Sequence, residues 1–349
     1  MKGCGGIIFY SASLVQSGGK DVPPVVERVA AGLYRIEVPL PGNPLKSVNS
    51  YLIKGDRNLI VDTGMRRPEC EDALRAGLHE LDIDLASTDF FITHLHADHL
   101  GLVTAFAADT SRVFFNESEA GFIAGSRARG GFMAFLAAQA LRSGISKAQL
   151  QDAMRQHPGF KYSPPDYPEF TIVGDGDTLR AGNYDLTCVH TPGHTPGHLC
   201  LYDAKAKILL SGDHVLGDIT PNISAWADDT DMLAAFLVSL DKVNRLDVRL
   251  VLPGHRKVFN DLPARVDEIK QHHRARLDDV LSIVRGRPGT AYEVASQMKW
   301  DFVADSWEQF PMMQKWFATG EAAAHLIYLA GAGAVKKTEQ GGVLVYSVA

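Results

Sequence analysis

Short stretches rich in apolar residues occupy 33–38, 48–54 and 58–62, and Pro, Gly and Asn fill the breaks between them. Such stretches bounded by turn residues predict three short strands in an antiparallel start. Helical spacing takes over from 67 to 81, and the apolar run 90–92 predicts a strand that opens directly into Thr93-His-Leu-His-Ala-Asp-His99. A helix from Asp98 and a strand over 112–115 follow. Residues 117–156 are Ala-rich with helical spacing, broken at Gly130-Gly131 and Ser143-Gly144, which predicts an inserted helical region. Its end, Tyr162-Ser-Pro-Pro-Asp-Tyr-Pro168, holds prolines that cannot continue a helix and favour an extended loop. Strand patterns return over 170–215. Over 229–246, Leu233, Phe236, Leu237, Leu240 and Val243 share one helical face, and 248–252 is a buried-type strand ending at Pro253-Gly-His255.

Beyond 261 the order becomes helix, short helix, long helix and β-hairpin, that of a winged helix-turn-helix. Thr290 with Glu293 forms a capping-box pattern, and Met312, Trp316, Ala323, Leu326, Ile327 and Ala330 make an apolar helical stripe suited to a core. The chain of 349 residues exceeds the usual size of one domain. We therefore expect an irregular arm over 1–24, a mixed α/β domain over 25–262 with its helical insertion at about 117–168, and a winged-helix-like domain over 263–349.

With 46% hydrophobic and 22% charged residues, the composition is that of a folded globular protein. A formal net charge of −6 gives no general attraction to nucleic acid or anionic lipid. Polyanion substrates are thereby disfavoured. The four cysteines, Cys4, Cys70, Cys188 and Cys200, are too scattered for a disulfide framework, so a reducing cytoplasm is expected. Neither a signal peptide nor a membrane span is expected either.

The chemistry is concentrated in four places. His94, His96, Asp98 and His99 put three imidazoles and a carboxylate into six positions, a donor set suited to divalent metals of intermediate softness. His190-Thr-Pro-Gly-His-Thr-Pro-Gly-His198 holds imidazoles on a tight Pro/Gly loop. Leu210-Ser-Gly-Asp213 and Leu252-Pro-Gly-His255 each carry an apolar strand into a glycine and then a ligand-type residue. One design recurs: a donor placed just past a strand end, where a rigid sheet positions it.

In kind and order these motifs resemble those of the metallo-β-lactamase superfamily, over roughly residues 33–261. The resemblance implies an α/β fold, an αββα sandwich, and two divalent metal ions, zinc first, with iron or manganese as alternatives. It implies that His94, His96 and His194 hold one metal, that Asp98, His99 and His255 hold the other, and that Asp213 bridges them. Asp62, His190 and His198 match positions that orient ligands, a structural role being an equal alternative for each. Asp213 stands where zinc β-lactamases of the main class have a cysteine, so antibiotic hydrolysis is not the expected activity. The ligand motifs are similar to those of glyoxalase II thioesterases, without their glutathione-binding tail. The C-terminal region resembles that of a branch including mitochondrial endoribonucleases.

Such a centre suits esters, thioesters, lactones and phosphodiesters. The leading expectation is hydrolysis of a small ester or thioester by metal-activated water, with Asp98 orienting the nucleophile. Phe122, Phe132, Phe135, Phe160, Tyr162 and Tyr167 would line an acyl pocket, or else pack the insertion onto the sandwich or onto a second subunit of a homodimer. Single-strand-specific RNA cleavage is the first alternative, with Arg274, Arg276, Lys336 and Lys337 as its basic residues, and nucleic acid is a less favoured partner. An iron-dependent persulfide dioxygenase is the second.

Overall fold

The computed structural model describes residues 25–128, 132–300 and 306–349. The arm expected over 1–24 lies outside the described residues, and so do the side chains of 126–133, Phe132 among them. Seven strands form the first sheet in chain order: β1 (Val26–Ala30), β2 (Leu33–Pro39), β3 (Ser47–Ile53), β4 (Asn58–Val61), β5 (Thr88–Phe91), β6 (Val113–Asn116) and β7 (Phe170–Val173). The first four pair antiparallel, and β4 to β7 run parallel. The parallel links are α1 (Pro68–Glu80), the pair α2 (Ala97–Leu100) and α3 (Val103–Phe106), and the insertion, which comprises α4 (Glu117–Ala128), α5 (Phe132–Arg142), α6 (Lys147–Gln156) and α7 (Pro158–Tyr162). The helix expected from Asp98 is thus two short ones. β1 escapes the strand signal because Glu27 and Arg28 break its apolar run, yet it pairs with β2 at Val26 and Ile36.

The second sheet runs β12-β11-β10-β9-β8, from β8 (Thr178–Ala181), β9 (Tyr184–His190), β10 (Leu199–Asp203), β11 (Ile208–Gly212) and β12 (Leu250–Pro253). Helix α8 (Met232–Asn244) carries the chain from β11 to its parallel neighbour β12. Period two sorts side chains between two layers. Tyr51 and Ile53 of β3 and Leu199 and Leu201 of β10 meet in the core between the sheets, with Val61, Phe91, Cys188 and Leu210. Their neighbours Leu52, Cys200 and Tyr202 face the outer helices, against residues such as Leu74, Phe236, Leu240 and Val266. The result is an αββα sandwich, and burial on both faces explains why these strands read as nearly unbroken apolar runs.

Helix α9 (Leu262–Gly286) starts at an Asp261 cap whose side chain accepts from Ala264 N. Leu262, Val266 and Ile269 belong to the sandwich, whereas Val280 and Val284 belong to a separate core with Ala291, Val294, Leu326 and Tyr346. That second core is built from α10 (Ala291–Ala295), α11 (Met312–Gly331) and the hairpin β13 (Val335–Gln340) and β14 (Val343–Val348). A boundary at 262 coincides with the first residue of a helix that serves both cores. The capping box of α10 is present: Thr290 accepts from Glu293 N, and Glu293 accepts from Thr290 N at 2.8 Å. Among the described residues no helix is long and apolar enough to cross a membrane.

Candidate metal centre

Four loops converge, each following the C-terminal end of a strand: β5 leads to His94, His96, Asp98 and His99, β9 to His194, β11 to Asp213 and β12 to His255. Their donor atoms form three overlapping groups, each spanning no more than 4.8 Å: His94, His96 and His194; His94, His99 and Asp213; and Asp98, His99 and His255. In the first group, His94 Nε2 and His194 Nε2 each lie 3.0 Å from His96 Nδ1. Asp213 stands between the two ends, with Oδ2 3.6 Å from His194 Nε2 and 3.3 Å from His255 Nε2, and Oδ1 3.6 Å from His99 Nε2. Asp98 Oδ2 is 3.4 Å from His255 Nε2. All seven ligand-type residues picked out in the sequence are therefore brought together.

The outward nitrogens of these imidazoles are tied down, which aims the inner ones. His99 Nδ1 bonds Asp62 Oδ2 at 2.7 Å, His255 Nδ1 bonds Ser47 O at 2.7 Å, and His194 Nδ1 bonds Asn222 O at 2.8 Å. Asp62 adopts a left-handed φ of 62° and also accepts from Thr93 N, fixing the start of the ligand loop. His198 Nε2 accepts from Asp213 N at 3.1 Å and thus aims the carboxylate. His190 instead turns back to Pro196 O within its own loop, at 3.1 Å. Gly254 has no room for a side chain, since a Cβ there would lie 2.4 Å from Asp213 Oδ1.

These residues fit divalent metals on their own chemistry. His99 Nε2, His255 Nε2 and Asp213 Oδ1 are buried and lack any hydrogen-bond partner, which in an apolar setting is costly unless a ligand completes them. Burial, with His194 nearby, lowers His96 to about 3, and burial also lowers His94 and His194. Those three imidazoles are neutral and keep a free lone pair for a cation. Burial opposes charge on Asp98, but His255 beside it and attraction from His99 outweigh burial and bring it down to about 2. Asp213 is likewise held well below the usual carboxylate range, because attraction from His255 and His99 overcomes burial. Against its own burial, His255 is pulled up to about 10 by Asp213 and Asp98, so this corner attracts positive charge.

Two residues that sequence patterns did not single out complete the surroundings. Glu119, fully buried on α4, accepts from Leu95 N at 2.8 Å and from Gly197 N at 2.6 Å, joining the two histidine loops. Burial raises its carboxyl to about 7. Trp226 lies over His96, with ring centroids 6.4 Å apart, and donates Nε1–H to His194 O. Phe122 meets Trp226 at 5.2 Å and Phe135 at 5.7 Å, so these two of the six pocket aromatics reach the centre through Trp226. Tyr162 lies under Arg67, Tyr167 packs near Phe170 at the sheet edge, and Phe160 is 64% exposed. Cys188 and Cys200 are buried thiols pushed up to about 12 by burial, and neither belongs to the three donor groups.

Comparison with known proteins agrees with this geometry. Residues 43–255 match the family model of the metallo-beta-lactamase superfamily, and 277–349 match that of the metallo-beta-lactamase-like C-terminal domain. A metallo-beta-lactamase family protein of Thermus thermophilus superposes with a TM-score of 0.75 at 30% identity, covering 91% of this chain and 99% of that one. A beta-lactamase domain protein of Burkholderia ambifaria gives 0.78 at 26% identity, covering 94% and 96%. An atrochrysone carboxyl ACP thioesterase of Emericella nidulans is 27% identical over 74% of this chain and 67% of its own length. With most of its length matched by these two family models and its donor residues gathered at the strand ends, the chain belongs to the metallo-beta-lactamase superfamily.

Proposed function

We propose that the protein is a thioesterase acting on a small acyl group carried as a thioester, at a centre of two zinc ions held by His94, His96 and His194 and by Asp98, His99 and His255, with Asp213 between them. The observation that carries this reading is the joining of a full donor set to an aromatic wall, Trp226, Phe122 and Phe135, stacked against His96. Relatives named as ACP thioesterases support a carrier-bound thioester as the substrate class. Three buried free cysteines, Cys70, Cys188 and Cys200, suit the reducing cytoplasm we propose for it.

Divalent ions bound there supply Lewis acidity toward a carbonyl oxygen and acidify water. The protein's own groups do the rest. Asp98, with a side chain 12% exposed, and the partly exposed His96 mark the open side of the centre, from which substrate approaches. Held ionised, the Asp98 carboxylate accepts a hydrogen bond from the attacking water and aims it at the carbonyl carbon. As the C–S bond breaks, the proton given up by that water passes to the departing thiolate. Trp226 and Phe122 bind the acyl chain and keep bulk water from the thioester.

The test is a panel of acyl thioesters, lactones and short single-stranded RNAs, each assayed over a range of salt. Thioester turnover nearly independent of salt is expected, and Phe122→Ala should raise KM with a free-energy loss of about 1–3 kcal/mol. Cleavage of RNA that falls steeply with salt, without acyl turnover, would replace this reading with phosphodiester hydrolysis.

A further inference from the structure

His194 is held by a loop that lies between the sandwich and the C-terminal unit. Its ring Nδ1–H donates to Asn222 O, and its backbone carbonyl accepts from Trp226 Nε1, so residues 222–226 set both ends of this ligand. That segment belongs to no helix or strand. Ile223 and Trp226 seat it in the sandwich core, and α11 of the C-terminal unit anchors it from the other side. Asn222 Nδ2 donates to Glu321 Oε2 at 3.1 Å, Ala225 N donates to Gly320 O at 3.0 Å, and Ser224 Oγ donates to Asn222 Oδ1 at 2.6 Å. The approach is close enough that a Cβ on Gly320 would lie 2.7 Å from Ser224 Oγ.

Glu321 is a costly residue to bury, and its side chain is fully enclosed. Its Oε1 takes Arg276 Nε at 3.1 Å, and Arg276 is fixed in turn by Lys299 O and by the Trp300 ring, 4.0 Å below the guanidinium. The second oxygen reaches Asn222, one hydrogen bond from the ligand ring. An ion pair locked inside the last domain thus ends at the side chain of Asn222, the residue whose backbone carbonyl orients His194. We propose that Glu321 is a positioning residue for the first metal, acting through Asn222, so that the C-terminal domain forms part of the metal centre.

The inference rests on the two-metal reading above, and the experiment separates the two. Zinc is titrated into the metal-free full-length protein against a chromophoric chelator, in wild type and in Asn222→Ala, which cuts the link but leaves the Arg276–Glu321 pair intact. Metal-free thermal unfolding is followed in parallel. We expect wild type to take up two ions, and Asn222→Ala, which keeps the carbonyl that His194 donates to but frees it from Glu321, to bind one of them about 10-fold more weakly, the low end of the effect of disturbing an outer partner of a metal-binding histidine. Binding of the other ion should not change, and the metal-free unfolding temperature should fall modestly, since buried Glu321 Oε2 loses a partner. Glu321→Ala should weaken the same ion and lower the unfolding temperature further, since Arg276 then loses its counter-charge. Two ions bound by Asn222→Ala with wild-type affinity, or both weakened equally, would overturn the positioning role while leaving the two-metal reading intact. Failure of the wild type itself to take up two ions would overturn both.

Discussion

Asp213 carries more of the centre than any other single residue. One oxygen faces His99 and the other faces both His194 and His255. Asparagine has the same shape but replaces one of those oxygens with a hydrogen-bond donor, which turns one contact repulsive. Asp213→Asn is therefore expected to lower the metal content from two ions per chain, whereas Cys188→Ala, in the core between the sheets, should leave both bound. Elemental analysis after dialysis checks this pair. Asp98→Ala should lower thioester turnover by about 10²- to 10⁴-fold, because the attacking water loses the group that aims it. It is to be measured at confirmed metal loading, and near-normal turnover would remove Asp98 from the chemistry.

The inserted helices act as braces around the ligand loops. Glu119 on α4 receives one N–H from each histidine loop, and glutamine has only one oxygen to offer both donors. Glu119→Gln should destabilise the fold by about 1–3 kcal/mol, the cost of leaving a buried donor unmet, as read from urea unfolding. At the other end of the insertion, His157 caps α7 by accepting from Gly159 N, and its ring packs 5.7 Å from Trp316. Burial lowers His157 to about 4, against 6.5 for a free histidine. With the folded value depressed, its contribution is complete above about pH 6.5 and is lost as pH falls toward 4, when the protonated Nδ1 can no longer accept. Asn keeps an acceptor that does not titrate. The stability of wild type relative to His157→Asn should therefore fall between pH 6.5 and 4, at no more than about 1.4 kcal/mol per pH unit. A difference that stays flat with pH would mean that this ring does not govern the cap. The strands and ligand loops could be read from the chain because short apolar runs bounded by turn residues and dense histidine motifs are local signals. Glu119, Trp226 and Asn222 gave no such signal: their partners lie 78, 32 and 99 positions away. An isolated carboxylate or amide in a helix or loop looks like ordinary surface until the fold closes over it.

The sandwich and the last domain share one rod, since α9 lends its first turns to one core and its last turns to the other. This arrangement explains why Arg276, a candidate for RNA contact from sequence, is unavailable: it lies on the buried side of that rod, paired with Glu321. The connection through Asn222 also has a reciprocal side. Whatever free energy α11 contributes to holding an ion at His194, bound ion must return to α11, because linkage between two sites has one value whichever end is perturbed. Zinc loading should therefore slow amide hydrogen exchange around Ala322 and Leu326, in a domain that supplies none of the donor groups. Mass-resolved exchange with and without zinc would show this as protection in α11, and Asn222→Ala should abolish the protection there while sparing that of the β5 loop. The last domain would then serve as a remote reporter of whether the centre is charged, legible from outside without any substrate.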